Sequence, residues 1–234
     1  MARSPQPLFA DPPPGRDILK ADLVHAAVRR RIRDLQLPPG AALRKEELAA
    51  EFGVSRAPVN EAIARLAEEG LVEVYPQHGS FVAAIRASDV RDGLFVRVGL
   101  ETEAIREAAR RCDPNLIATL DDNLAAQAAA LAAADLSSFY ELDERLHALV
   151  FSSIGHARAQ RLLETARAPL DRVRRLALPE PGRPEKTLVE HRRLVEAIRL
   201  GDPEFAAAAM RAHLSAVADT VEQQLAHIDH VNDR

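Results

Sequence analysis

Three histidines and an aspartate stand among residues whose spacing marks the buried faces of helices. Phe139, Leu142, Leu146, Leu149 and Val150 trace one inward stripe, and Asp143 and His147, one helical turn apart, lie on it. His191 falls among Leu188, Leu194, Val195 and Ile198, and His213 among Ala209, Met210, Val217 and Val221. A lone core histidine is ordinarily accounted for by one hydrogen bond. A carboxylate and three imidazoles from three helices are costly to bury unless they are paired or coordinated. Together they form a ligand set for zinc and other later first-row divalent ions. The set contains no thiolate, so nothing in it selects a soft ion.

A second constellation points to nucleic acid. Arg56 and Asn60 share a helix face away from the Val59, Ile63 and Leu66 stripe. An arginine fork matches guanine O6 and N7, and an asparagine amide matches adenine N6 and N7. Ser55 suits an N-cap and can also reach a phosphate. Arg44 and Lys45, where the preceding helix starts, are candidates for phosphate contacts. His78 and Gly79 form a slim turn able to approach a minor groove. The run Arg29, Arg30, Arg31 and Arg33 reads first as a solvated face.

The elements that position these residues follow from punctuation and period. The first helix runs near residues 18–35 and is stopped by Leu37-Pro38-Pro39-Gly40. The second, about Lys45 to Phe52, ends at Gly53; the third begins after Ser55, tolerates Pro58 in its first turn and stops at Gly70. Leu71 to Tyr75 and Ser80 to Ala84 read as strands around the turn Pro76-Gln77-His78-Gly79. This order predicts a winged helix-turn-helix over residues 16–86. From residue 87 to 234 the signals are helical, with six helices expected near 89–112, 114–134, 137–154, 157–176, 184–200 and 203–228. Asp113-Pro114 and Asp202-Pro203 each supply an N-cap followed by proline, and Pro179, Pro181, Gly182 and Pro184 mark a longer loop. The alanine-rich run from Leu124 to Ala134 reads as packing filler. The fold class is therefore mostly α, a winged head followed by a six-helix antiparallel bundle.

Composition sets the bounds. The chain has 234 residues, 47% hydrophobic and 28% charged, with a net charge of −4, which is ordinary for a globular protein of one or two domains. Residues 16–86 hold 11 Lys/Arg against 10 Asp/Glu, so the head is only weakly cationic and any DNA-binding face must be local. One cysteine, Cys112, allows no internal disulfide. No apolar run reaches the ~20 residues of a membrane span, and the proline-rich residues 1–15 read as a disordered tail rather than a signal. A cytoplasmic location without membrane partners is expected.

Residues 18–85 carry a specific resemblance. Leu37-Pro38-Pro39-Gly40, the stretch from Phe52-Gly53-Val54-Ser55-Arg56 to Glu61-Ala62, Glu69-Gly70-Leu71-Val72 and Gly79-Ser80-Phe81-Val82 resemble the GntR family of bacterial transcription regulators. The C-terminal part, through Asp143-Glu144-Arg145-Leu146-His147, the stretch from Glu190-His191 to Gly201-Asp202, and Met210-Arg211-Ala212-His213-Leu214, resembles the FCD ligand-binding domain of the FadR-type branch. In the metal-dependent members of that branch, residues matching Asp143, His147, His191 and His213 hold a divalent ion that helps bind a small carboxylate. The resemblance implies the same here, with zinc foremost and nickel or another first-row ion as alternatives. It also implies a homodimer on double-stranded operator DNA, a repressor whose operator affinity answers to the acid, and no enzymatic activity.

Arg97, in Arg97-Val98-Gly99-Leu100-Glu101, matches an arginine the family keeps there. It can hold an effector carboxylate as a fork or pair with Glu101 one turn on. Three residues depart from the family pattern: Asn60 stands where arginine is usual, Lys45 where an acid is usual, and His156 where asparagine is common. Asn60 would shift one operator position toward adenine. The competing function is an all-α metalloenzyme with an accessory DNA-binding module, since coordination positions could stay open. A metal hydrolase also needs a nearby general base. Glu144 faces away from the site, and the chain has no Gly-rich phosphate loop. A third reading is a structural dimerisation domain with no ligand.

Overall fold

The computed structural model describes residues 16–177 and 182–232, and forms two compact units that divide between Ala84 and Ile85. The expected tail over residues 1–15 lies outside the described residues, as do Pro179 and Pro181.

The first unit contains α1 (Arg16–Arg33), α2 (Lys45–Phe52), α3 (Arg56–Glu68), β1 (Val72–Tyr75) and β2 (Gly79–Val82). Val24, Val28 and Ile32, each fully buried, face Val59, Ala62, Ile63 and Leu66 of α3 and form its core. Gly53 closes α2 with φ +61°, a left-handed cap that glycine adopts without a Cβ penalty. The strands pair antiparallel from Val72↔Val82 to Tyr75↔Gly79. Gly79 thus belongs to the ladder, which shortens the expected turn to residues 76–78, with Gln77 left-handed at φ +66°. Ala42 adds an isolated bridge to Phe81. The first helix ends two residues earlier than its period predicted, because Leu35 takes φ +58° and cannot continue a right-handed helix.

The second unit is helical: α4 (Ala87–Arg111), α5 (Pro114–Ala132), α6 (Leu136–Ile154), α7 (Ala157–Ala166), α8 (Ala168–Ala177), α9 (Arg183–Arg199) and α10 (Pro203–Asn232). Asp113 caps α5 by accepting the Asn115 N–H at 2.9 Å, and Asp202 accepts those of Glu204 and Phe205 at 3.1 and 3.0 Å. Ile105, Leu120, Leu146, Leu194 and Ile198 lie in one core; Val90, Leu94, Leu170, Val173, Val217 and Val221 lie in another. The element expected at 157–176 is two helices, so this unit has seven among the described residues rather than six. Pro169 supplies the reason. It has no N–H for the Thr165 carbonyl, and its ring crowds that carbonyl, so one helix ends and another starts at the Arg167-Ala168 step.

Gly93 of α4 lies against this break. A Cβ built there would sit 2.4 Å from the Ala166 carbonyl oxygen, a backbone atom that cannot swing aside. Gly93→Ala is expected to cost about 1–3 kcal/mol, typical of forcing a methyl into a filled site. Gly99→Ala, on the same helix and facing open space, should instead stabilise by up to about 1 kcal/mol through helix propensity. Urea unfolding of both variants checks the opposite signs; equal midpoints would refute the close-approach account.

Candidate metal centre and nucleic-acid interface

The four residues that the stripes singled out converge. Asp143 and His147 of α6, His191 of α9 and His213 of α10 are all buried, and one ligand atom from each lies within 4.8 Å of the others. The imidazole centroids are 5.0 to 5.5 Å apart. Asp143 Oδ1 stands 3.2 Å from His191 Nε2 without hydrogen-bond alignment. Those two atoms and His213 Nε2 are buried without hydrogen-bond partners. Orphaned lone pairs inside a protein are costly, and these three face a common point. A divalent ion would satisfy them, and the donor set of three imidazoles and one carboxylate fits such an ion.

Each ring is set by an outer partner. Glu190 Oε2 lies 2.8 Å from His213 Nδ1, and Glu101 Oε2 lies 2.6 Å from His147 Nδ1. Gln127 Oε1 accepts from His191 Nδ1 at 2.8 Å; Gln127 donates to Asn123 at 2.7 Å, and Asn123 donates to the Leu142 carbonyl at 3.1 Å. Gln127 and Glu190 hold the proton of His191 and His213 on Nδ1 and leave their Nε2 as the free ligand atom. Burial pushes the His213 imidazole down to about 3 against the pull of Glu190, and it lowers His147 as well. Both are therefore neutral, the form that binds a metal.

Arg97 is fully buried and makes the expected pair with Glu101. Its Nε donates to Glu101 at 2.5 Å, its Nη2 donates to His147 Nε2 at 3.2 Å, and its Nη1 has no hydrogen-bond partner. Arg174 of α8 was missed in the sequence. Its Nη2 donates to Asp143 Oδ2 at 2.7 Å, and its guanidinium lies 4.9 Å from the Tyr140 ring centroid. Burial alone would raise the Asp143 carboxyl, but Arg174, followed by His191, holds it well below the usual carboxylate range. Gln127, Glu190, Arg183 and Glu101 also went unpredicted as site residues. A cavity of about 50 Å³ opens beside Asp143 and is lined in part by Phe139, Arg174, Arg183, Thr187 and Thr220.

In the first unit the structure places Arg56, Asn60 and Ser55 on the exposed N-terminal end of α3. Ser55 occupies the N-cap position, but its side chain makes no capping bond. Arg56 lies 3.2 Å from Glu46, and Arg44 donates to Glu47 at 2.9 Å; both pairs are well exposed and correspondingly weak. Lys45 is half-buried, and His78 and Gly79 are exposed at the tip of the wing. His156, outside both sites, lies 3.1 Å from Glu107.

The comparisons with known proteins agree with this geometry. Residues 20–82 match the family of bacterial regulatory proteins, gntR family, and residues 92–216 match the FCD domain. A helix-turn-helix-type transcriptional regulator in an unstable DNA locus of Streptomyces ambofaciens is 39% identical over 204 residues, covering 87% of this chain and 86% of that protein. The helix-turn-helix-type transcriptional repressor RspR of Escherichia coli K12 is 33% identical over 206 residues, covering 88% and 86%. The solved structure of E. coli McbR/YncC superposes with a TM-score of 0.78 at 19% identity, covering 88% of this chain and 98% of that one, and so supports the fold. These relatives are regulators rather than enzymes, which sets the metalloenzyme reading aside. With its winged helix-turn-helix head and its helical FCD domain, this chain belongs to the GntR family of DNA-binding transcription regulators.

Proposed function

We propose that the protein is a homodimeric, ion-dependent sensor of a small carboxylate that represses transcription from an operator in the cytoplasm. One observation carries the reading: three buried ligand atoms of Asp143, His191 and His213, with no other hydrogen-bond partner, face one point beside His147. In this reading those four residues hold zinc, with nickel or another first-row ion as alternatives. The ion supplies a Lewis-acidic anchor for a carboxylate oxygen, and Arg97 offers it the spare Nη1 donor. Residues 87–234 carry ligand and dimer contacts, and residues 16–86 carry the DNA contacts. Arg56 and Asn60 read base edges, Ser55, Arg44 and Lys45 hold phosphates, and His78 and Gly79 approach the minor groove. The repressor direction takes its support from the relative RspR. GntR regulators are dimeric, and the exposed apolar face of Phe95, Val98 and Leu162 suits a second copy.

The test is operator affinity. With operator selected from a random DNA pool and zinc-loaded protein, fluorescence anisotropy should show the effector acid changing affinity some five- to 150-fold, the usual span of a coupling of about 1–3 kcal/mol. Acid that binds and leaves operator affinity unaltered would defeat the mechanism. The same selection run on Asn60→Arg should move one consensus position from adenine to guanine, a discrimination worth about 1–3 kcal/mol. Identical consensus sites would defeat the assignment of Asn60.

A further inference from the structure

The charges around the metal centre are arranged as three repeats of one unit, an arginine and a histidine facing the same carboxylate. Glu101 lies between Arg97 and His147, Asp143 between Arg174 and His191, and Glu190 between Arg183 and His213. The carboxylates and guanidiniums match one for one, and imidazoles bind a metal as neutral ligands. Around them, Glu144 and Asp171 lie near Arg167, and Arg175 stacks on Tyr140 at 4.0 Å. These three units therefore offer an incoming ion no net negative charge.

This balance bears on what must bind with the ion. In an ordinary zinc site the protein's own carboxylates or thiolates offset part of the ion's charge. Here the one carboxylate ligand, Asp143, is already offset by Arg174, so a divalent ion brings two uncompensated positive charges into a buried site. Uncompensated buried charge is expensive. The two arginines that touch ligand residues each keep a buried donor without a hydrogen-bond partner, Nη1 of Arg97 on α4 and Nη1 of Arg174 on α8, the latter 3.9 Å from Asp171. Two spare guanidinium donors on separate helices and two surplus charges describe one kind of ligand.

We infer that the effector is a small dicarboxylate, bound as its dianion, with one carboxylate serving Arg97 and the other Arg174 around the ion. This rests on the ion-dependent reading above and narrows it. The test is titration calorimetry on full-length zinc-loaded protein with succinate, malonate and the monoamide of each, at a pH where every carboxyl is ionised. A monoamide keeps the size of its diacid and removes one charge. For at least one chain length the diacid should bind roughly tenfold or more tighter than its monoamide. A monoamide binding as tightly as its diacid overturns the inference and leaves the sensor reading in place. Zinc uptake with no binding of any of the four acids overturns the dicarboxylate. Absence of zinc uptake, read from the metal content of the same samples, removes the sensor reading along with it.

Discussion

His213→Ala is expected to strip the protein of its divalent ion. His213 is 1% exposed, its Nδ1 is committed to Glu190, and its Nε2 has no partner within the protein. Losing an outer-shell partner alone costs a metal site about 10- to 100-fold in affinity. Losing a ligand atom should therefore cost at least about 100-fold, with Glu190→Gln falling in the smaller range. Metal content of protein purified without a histidine tag, and competition with a chromophoric chelator, measure both. Folding gives a second readout. Zinc at a thousandfold above its dissociation constant should stabilise the parent protein by about 4 kcal/mol, and the variant, binding at least about 100-fold more weakly, by no more than about 1.4 kcal/mol. A variant that still carries one equivalent of zinc with parental affinity would exclude His213 from the site.

The second large effect belongs to a residue that touches no ion. Arg174→Met should destabilise the metal-free protein by about 3–5 kcal/mol, because it leaves a buried carboxylate without its counter-charge. Asp143 is fully buried, and the Arg174 side chain is 10% exposed, so solvent screens the pair little. The loss should shrink when zinc is bound, since the ion then lies against the same carboxylate. The double variant Asp143→Asn/Arg174→Met should recover much of the metal-free stability. Urea unfolding of the parent, Arg174→Met, Asp143→Asn and the double variant decides the matter, and an equal loss for Arg174→Met with and without zinc would show that Arg174 does not balance Asp143.

The sequence exposes the ligands and conceals what holds them. Asp143, His147, His191 and His213 are legible because a polar residue in an apolar i, i+4 stripe has few reasons to be there. Arg56 and Asn60 are legible for the opposite reason, lying off their stripe on a short helix after a tight turn. Gln127 is hidden by its surroundings: in an alanine-rich run it reads as a tolerated surface residue, and only the approach of α9 to α5 gives it a histidine to orient. Arg174 is hidden by Arg172 and Arg175, which make its segment resemble a solvated charge run. The helix break that Pro169 imposes opens α8, the helix that carries Arg174, and the proline is visible in the sequence. Arg97 stayed undecided because pairing with Glu101 and keeping a free donor are not exclusive in a guanidinium, which has five N–H groups.

The helix that bears Arg97 is also the first of the second unit. Arg97 lies ten residues from the start of that helix, about 15 Å along its axis. Only Ile85 and Arg86 come between the start of α4 and the last residue of the winged unit. Arg97 is therefore joined to the winged unit in sequence by a stretch that is helical but for two residues.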